Sequence, residues 1–153
     1  MMNEGMVEVE IKGLLPTPGG AGVFLMGEDK VITIFIDAMV SRALKMILEG
    51  EDPPRPLTHD LLLSVLDGLG VSLLRVVIHD LQDEVYFARL TLEQQNELGK
   101  SVLEIDSRPS DGLVLASKWN APVYVARHVW EASDDMRWAM EQMDPESRGG
   151  DDA

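Results

Sequence analysis

The chain has 153 residues, of which 45% are hydrophobic and 26% charged, a composition typical of one globular domain. It contains no cysteine, which excludes disulfides, thiolate metal sites and a cysteine nucleophile. Its formal net charge of −14 argues against simple polyanion binding, because nonspecific nucleic-acid binding rests on Lys and Arg that neutralise phosphates.

The sequence shows no sign of export or membrane insertion. The N-terminus lacks the basic start and apolar run of a signal peptide. Apolar stretches such as residues 31–36 fall far short of the roughly 20 residues that a membrane span needs. Together with the absence of cysteine, these features predict a cytoplasmic protein that does not enter a membrane.

The first third of the chain is predicted to form three strands and a helix. Residues 6–12 alternate apolar and polar, the pattern of a half-buried strand, and a Pro- and Gly-rich loop follows. Two short apolar runs, residues 23–26 and 31–36, flank GEDK and predict a hairpin. Helical spacing of apolar residues over 39–49 predicts a helix that Gly50 ends.

A proline-rich connection, EDPPRP, leads into a second predicted helix. This helix begins at Thr58 and ends near Leu69, and its apolar stripe comprises Leu61, Leu62, Val65, Leu66 and Leu69. Two strands, a third strand, a helix and a short final strand are then predicted over residues 71–79, 84–92, 102–105, 109–119 and 123–126.

The C-terminal part divides from the rest by composition. We place one domain at residues 1–131 and an amphipathic helix at 132–143. The amphipathic pattern itself extends over residues 129–143, and Ser133 is the predicted N-cap. Residues 144–153 are polar and acidic and are predicted to be disordered.

Two segments of the chain resemble each other at an offset of 69 residues. Residues 36–44 read IDAMVSRAL and residues 105–113 read IDSRPSDGL, and each is predicted to lie where a strand passes into a helix. We therefore predict an α+β fold: an internally duplicated β-β-β-α unit with a linking helix at Thr58, and mixed or mostly antiparallel sheets.

The segment PPRPLTHDLL is open to two interpretations. In the structural one, the prolines set an extended approach, Thr58 caps the helix and Asp60 interacts with its dipole. In the functional one, His59 is a general base or acid at a helix N-terminus, where anions bind, and Asp60 orients it or binds a cation. Arg55 is then either a surface residue or a phosphate contact.

The segment IDSRPSDGLVLA allows the same two interpretations. Pro109 suits the first position of a helix, Ser107 or Ser110 can cap it, and Arg108 can pair with a neighbouring aspartate. Alternatively, Arg108 holds a phosphate while Asp106 or Asp111 acts as a base or metal ligand.

These two motifs, in this order and at this separation, resemble those of the bifunctional nuclease family over about residues 6–131. The resemblance implies an α+β fold, an oligomer and, for plant members of the family, combined DNase and RNase activity. Members of the family usually carry a Gly near position 37 and a Glu near position 40, where this chain has Asp37 and Val40.

The resemblance leads to one functional hypothesis, a nuclease-like phosphodiesterase that acts on DNA or RNA. Its candidate catalytic residues are His59, Asp60 and Asp111, and its candidate substrate contacts are Arg55, Arg108 and Ser110. A divalent cation such as Mg²⁺ or Mn²⁺ is a candidate cofactor, and a homo-oligomer, with a dimer favoured, is expected. The alternative is a noncatalytic oligomeric interaction or regulatory module, in which both motifs specify helix entries and a subunit interface.

Overall fold

The computed structural model describes residues 5–143, which form one seven-stranded sheet with five helices. The strands are β1 (Met6–Thr17), β2 (Gly20–Gly27), β3 (Lys30–Asp37), β4 (Val71–Gln82), β5 (Val85–Asn96), β6 (Gly99–Ser107) and β7 (Val123–Ala126). The helices are α1 (Ala38–Leu48), α2 (Thr58–Gly68), α3 (Pro109–Trp119), α4 (Arg127–Ala132) and α5 (Arg137–Glu141). None of these helices is long and apolar enough to cross a membrane.

The order of strands confirms the predicted fold class. The sheet runs β3-β2-β1-β7-β4-β5-β6, and every neighbouring pair is antiparallel except β4 with β7. Three strands and a helix, β1 to α1, are matched by three strands and a helix, β4 to α3, on the other side of β7. The sheet is therefore mixed and mostly antiparallel, and α2 links its two similar halves.

The main core lies between the sheet and the helices α1 and α3. Helix α1 contributes Val40, Ala43 and Leu44, and α3 contributes a run from Leu113 to Ala116. Gly112 lets α3 approach β4 closely, since a Cβ there would lie 2.8 Å from Cγ1 of Val76. Helices α1 and α3, which begin in the two matching segments of the duplication, are thus held side by side on the sheet.

Strand β1 is longer than the sequence predicts. A loop was expected from Leu14 to Gly22, but the strand continues to Thr17 and pairs with β2 to the end. Pro16 is itself part of the strand and lies opposite Ala21 of β2, near the turn of the hairpin. Only the two residues between Thr17 and Gly20 form the turn.

The prediction of a single amphipathic helix over residues 129–143 is wrong. Two short helices occupy this range, and Ser133 is the C-cap of α4 rather than an N-cap. The chain turns there because its polar groups bind β3: Oδ1 of Asp135 accepts from the N–H of Val31 at 3.2 Å, and the N–H of Met136 donates to the Val31 carbonyl. The predicted disordered tail, residues 144–153, lies outside the described residues.

Helix α2 leaves most of its predicted apolar stripe exposed. Its single buried residue is Leu63, while Leu61, Leu62, Val65 and Leu69 are exposed by between 41% and 60%. The helix begins at Thr58 as predicted, but Thr58 is its first helical residue and Leu57 is the N-cap. The N–H of Leu57 instead donates to Oδ2 of Asp60 at 2.8 Å.

Candidate active site

The two polar motifs meet where α2 and α3 begin. His59 is the second residue of α2 and Asp111 the third of α3. Although 52 positions separate them, Nε2 of His59 lies 2.8 Å from Oδ1 of Asp111. Their side chains are 17% and 33% exposed, so the pair is partly sheltered but open to solvent. The linking helix and the second repeat thus build the site together.

Arg108 extends this pair towards the first repeat. Its Nε donates to Oδ2 of Asp111 at 3.1 Å, and its Nη1 donates to Oδ2 of Asp37 at 3.3 Å. Bonding to Asp111, and secondarily to Asp37, raises the pKa of the Arg108 guanidinium, which stays charged. We call His59, Asp111, Arg108 and Asp37 the His–Asp–Arg–Asp chain.

Asp37 also begins helix α1. Its Oδ1 accepts from the N–H of Val40 at 2.9 Å, the bond of an N-cap. This backbone bond, with the further bond from Arg108, lowers the pKa of the Asp37 carboxyl. Asp37 was not among the site residues predicted from the sequence. The internal match could have indicated it, because Asp37 corresponds there to Asp106, at the end of a strand that leads into a helix.

Asp60 lies beside His59 in sequence but bonds elsewhere. Its Oδ1 pairs with Nζ of Lys118 at 2.5 Å, and its Oδ2 takes the Leu57 N–H. The ion pair with Lys118 lowers the pKa of Asp60, with a smaller contribution from the Leu57 bond. His59 is oriented by Asp111 rather than by Asp60, and Asp60 joins the start of α2 to the last turn of α3.

The other predicted site residues occupy different surroundings. Arg55 is exposed in the connection between α1 and α2, and no residue in the described range 5–143 pairs with it. Ser110 is only 7% exposed within the first turn of α3. A hydroxyl so enclosed packs within the fold in this conformation, and its role as a substrate contact stays a prediction. Asp106 is exposed on β6 opposite Arg89.

The site is shallow. A crevice of about 10 Å³ lies beside His59 and Asp60, space for roughly one water. A larger open groove of about 550 Å³ lies away from the motifs, between β1, β7 and the end of α3. Among residues 5–143 no three His, Asp or Glu side chains are grouped to hold a metal ion. A cation at this site would therefore need ligands from substrate and water.

Comparison with known proteins places these residues in a family. The model of the bifunctional nuclease domain matches residues 23–136, which include the whole His–Asp–Arg–Asp chain. This protein belongs to the bifunctional nuclease domain family. Two uncharacterized proteins of Mycobacterium tuberculosis, MT1877 of strain CDC 1551 / Oshkosh and Rv1829 of strain H37Rv, are each 33% identical over 128 residues. The match covers 81% of this chain and 74% of each relative.

In this bifunctional nuclease domain the geometry leaves one imidazole nitrogen for chemistry. In the tautomer whose Nε2 donates to Asp111, the lone pair lies on Nδ1, and within residues 5–143 no hydrogen bond engages that atom. A His held by a carboxylate on one nitrogen can take a proton on the other. Arg108, with a side chain 62% exposed, uses two of its five N–H donors on carboxylates and keeps others for an anion.

Proposed function

We propose that this bifunctional nuclease domain hydrolyses phosphodiester bonds of DNA or RNA. The observation that carries the proposal is the 2.8 Å contact between His59 and Asp111, because it joins the two motifs in a partly open position. A histidine whose orientation is held by a carboxylate is a common arrangement for general base catalysis. The absence of cysteine is compatible with a reducing cytoplasm, where we expect the protein to act.

In the proposed reaction, Nδ1 of His59 accepts a proton from the attacking water as its oxygen bonds to phosphorus. The P–O bond to the leaving oxygen then breaks, and that oxygen takes a proton from the His59 imidazolium. Asp111 holds the imidazole in the required tautomer and stabilises its positive charge. Asp60 acts indirectly, because its bond with Lys118 holds the first turn of α2, which carries His59, in place.

Arg108 and Arg55 are the proposed phosphate contacts. Arg108 adjoins Asp111, and its remaining N–H donors can bind phosphate oxygens as charge-assisted hydrogen bonds. Arg55 is exposed four residues before His59 and can reach a neighbouring phosphate of a chain substrate. The net charge of −14 opposes a long polyanion, so we expect a short contact and weak nonspecific binding. If a carboxylate such as that of Asp111 held a divalent cation, Mg²⁺ or Mn²⁺, with water and substrate as its other ligands, the charge of the cation would lower this repulsion.

The test is hydrolysis of fluorescent single-stranded DNA and RNA oligonucleotides with Mg²⁺, with Mn²⁺ and with a chelator. We expect His59→Ala to lower the rate by about 10²–10⁴-fold, the usual contribution of a general base. His128→Ala is the matched control, because His128 is a 69% exposed histidine 3.8 Å from its own aspartate, Asp80. No cleavage by the wild type under any of these conditions, or equal rates for both variants, refutes the proposal.

A noncatalytic interaction or regulatory module is the second candidate. It is favoured by the mutual neutralisation of the motif charges, since Arg108 is bonded to two carboxylates and Asp60 to Lys118. Such bonds also suit a purely structural joint between α1, α2 and α3. If this candidate is right, His59→Ala alters stability or association, and the wild type has no phosphodiesterase activity to lose.

A further inference from the structure

Strand β7 is much shorter than the two strands beside it. It pairs with β1 only over residues 6–9 and with β4 only over residues 76–78. Strand β1 continues to Thr17, so beyond Val9 no strand among residues 5–143 pairs with it on this side. The middle of β1 is therefore an edge inside the sheet, on the side that faces the second repeat.

The backbone of Ile11 points into the gap that β7 leaves. The N–H of Arg127 donates to the carbonyl of Gly5 at 2.8 Å, so the backbone of Gly5 faces the side of β7. Every second residue of an antiparallel strand directs its N–H and C=O to the same side, so Val9 and Ile11 face this side too. Val9 is opposite Val123, but Ile11 has no strand opposite it within the described chain. An added strand can therefore pair with Ile11.

The gap is continuous with the open groove of about 550 Å³ between β1, β7 and the end of α3. The apolar lining of this groove includes Ile11, Leu48 and Ala121, which are half-buried and pack against the main core. Ligand clefts usually have volumes of about 300–1,000 Å³, so the groove has room for several residues of an extended chain. We call it the β1–α3 groove.

Carboxylates line the same stretch of β1. Side chains alternate along a strand, so Glu8 and Glu10 project from the opposite side to Val9 and Ile11. Lys12 is the one basic residue among the described residues that line the groove, and its Nζ lies 3.2 Å from Oε1 of Glu10. Glu8 is exposed, and no hydrogen bond or ion pair within the described chain engages it. The carboxylate of Glu8 is thus available to a cation in the groove.

The end of α3 adds to this negative potential. The carbonyl groups of the last turn carry the negative end of a helix dipole. Ser117 and Asn120 line the groove at this end, whereas Lys118, the basic residue of the last turn, is bonded to Asp60 of α2. The groove therefore favours a cationic ligand, and the net charge of −14 attracts such a ligand from a distance.

We propose that the β1–α3 groove binds an extended segment of a partner protein in which basic and apolar residues alternate. The segment pairs with Ile11 as an added strand, so that its apolar side chains lie beside Leu48 and its basic side chains beside Glu8. Opposite charges that face each other across two strands stabilise the pair, and like charges destabilise it. The groove lies at the last turn of α3 and the His59 site at the first, so this binding goes beyond the proposed reaction and does not depend on it.

Fluorescence anisotropy of a labelled peptide of alternating lysine and valine, titrated with the full chain, measures this binding. A Kd of about 1–100 μM is expected, because a short pairing with few anchoring side chains gives weak affinity. A peptide of alternating glutamate and valine is expected to bind at least about tenfold more weakly. If the wild type fails to bind the lysine peptide at about 1 mM chain, or binds both peptides equally, the proposal is overturned.

Glu8→Lys replaces attraction by repulsion at the groove and is expected to weaken binding of the lysine peptide by about fivefold or more. Glu97→Lys is the matched control, because Glu97 is also exposed and without a partner in the described chain, but lies in the turn between β5 and β6. The two variants have the same net charge, so only the position of the change differs. Equal weakening by both would show that the peptide responds to the overall charge, and would overturn docking in the groove.

Backbone pairing with β1 is tested by two N-methylated versions of the lysine peptide. One is methylated at its valines and the other at its lysines, which removes N–H groups from opposite edges of the extended chain. Because one edge of the peptide faces Ile11, one version is expected to bind about tenfold or more weakly and the other to bind like the parent peptide. Equal binding of both versions and the parent peptide would contradict an added strand.

Ser117→Trp fills the β1–α3 groove with an indole ring and is expected to weaken binding by about tenfold or more. Ser64→Trp, the same substitution at an exposed position of α2, is the control and is expected to leave the Kd unchanged. Circular dichroism checks that both variants fold, and Glu8→Lys decides the matter if Ser117→Trp does not. Binding by folded Ser117→Trp as tight as that of the wild type would place the peptide elsewhere and overturn the proposal.

Discussion

Arg108 of the second repeat donates a hydrogen bond to Asp37 of the first, 71 residues earlier in the chain, at 3.3 Å between Nη1 and Oδ2. The same guanidinium holds Asp111 through Nε. Because Asp111 in turn contacts His59, the first repeat reaches the candidate catalytic histidine through two intermediate side chains. The site is thus asymmetric in sequence but draws on both halves of the duplication.

Asp37 has two separable roles, which substitutions can distinguish. Asp37→Ala removes the N-cap of α1 as well as the partner of Arg108 and is expected to lower the free energy of unfolding measurably. Asp37→Asn keeps a good N-cap and loses only the charge. Its free energy of unfolding is therefore expected to fall much less than that of Asp37→Ala. Urea unfolding at pH 7 measures both. Equal losses for the two variants would show that the cap is not what Asp37 contributes.

Arg108→Lys tests whether the planar guanidinium is required. A lysine keeps the charge but cannot bond two carboxylates and a phosphate in one fixed geometry. We expect KM to rise by about tenfold or more, while the unfolding free energy changes by less than about 1 kcal/mol, because the side chain is 62% exposed. Steady-state kinetics on the oligonucleotide substrates measure this. An unchanged KM would remove Arg108 from the substrate contacts.

The bond between Asp60 and Lys118 predicts a dependence of stability on acid pH. Because the folded pKa of Asp60 is lowered, chiefly by Lys118, its contribution is complete above the unfolded pKa of about 3.9 and is lost as pH falls through the folded value. Lys118→Met is expected to cost about 1 kcal/mol at pH 7 and progressively less below about pH 4.

Urea unfolding from pH 7 to pH 3 measures the difference between the wild type and Lys118→Met. Lys45→Met is the control, since Lys45 and its partner Glu49 are 4.0 Å apart and largely exposed. It is expected to show little loss at any pH. A loss for Lys118→Met that stays constant down to pH 3 would contradict a role for the ionised Asp60.

The sequence predicts the elements well and the long-range contacts of the site poorly. Periodicity finds every strand and α1 to α3 within a few residues, because alternation and helical spacing are local. It cannot tell which side of α2 is buried, since Leu63 and the exposed Leu62 are adjacent residues of the same type. The bond between His59 and Asp111 depends on how α2 crosses α3, and nothing local to either motif encodes that.

The C-terminal helices show a different reason for failure. Residues 129–143 have helical spacing, yet Asp135 bonds the backbone of β3 at Val31 and interrupts the helix. A polar side chain that finds a distant backbone partner overrides the local preference. Asp37 was missed for a related reason, because its second partner lies in the other repeat.

Two glycine-to-alanine substitutions, both within helices, are expected to change stability in opposite directions. In α3, a Cβ on Gly112 would lie 2.8 Å from Cγ1 of Val76, so Gly112→Ala forces α3 away from β4. Overpacking of this kind costs about 1–3 kcal/mol. In α2, a Cβ on Gly68 meets nothing within 4 Å. Gly68→Ala there is expected to stabilise the fold by about 0.5–1 kcal/mol, because alanine restricts the unfolded chain more than glycine.

Thermal unfolding of the two variants beside the wild type measures this contrast. Because Gly112 precedes the core residues Leu113 to Ala116 and follows Asp111, displacement of α3 is also expected to lengthen the contact between His59 and Asp111. Gly112→Ala should therefore lower phosphodiesterase activity even at temperatures where it remains folded, whereas Gly68→Ala should not. Equal stability for the two variants would mean that α3 and β4 leave room for a Cβ at Gly112, contrary to its 2.8 Å approach to Cγ1 of Val76.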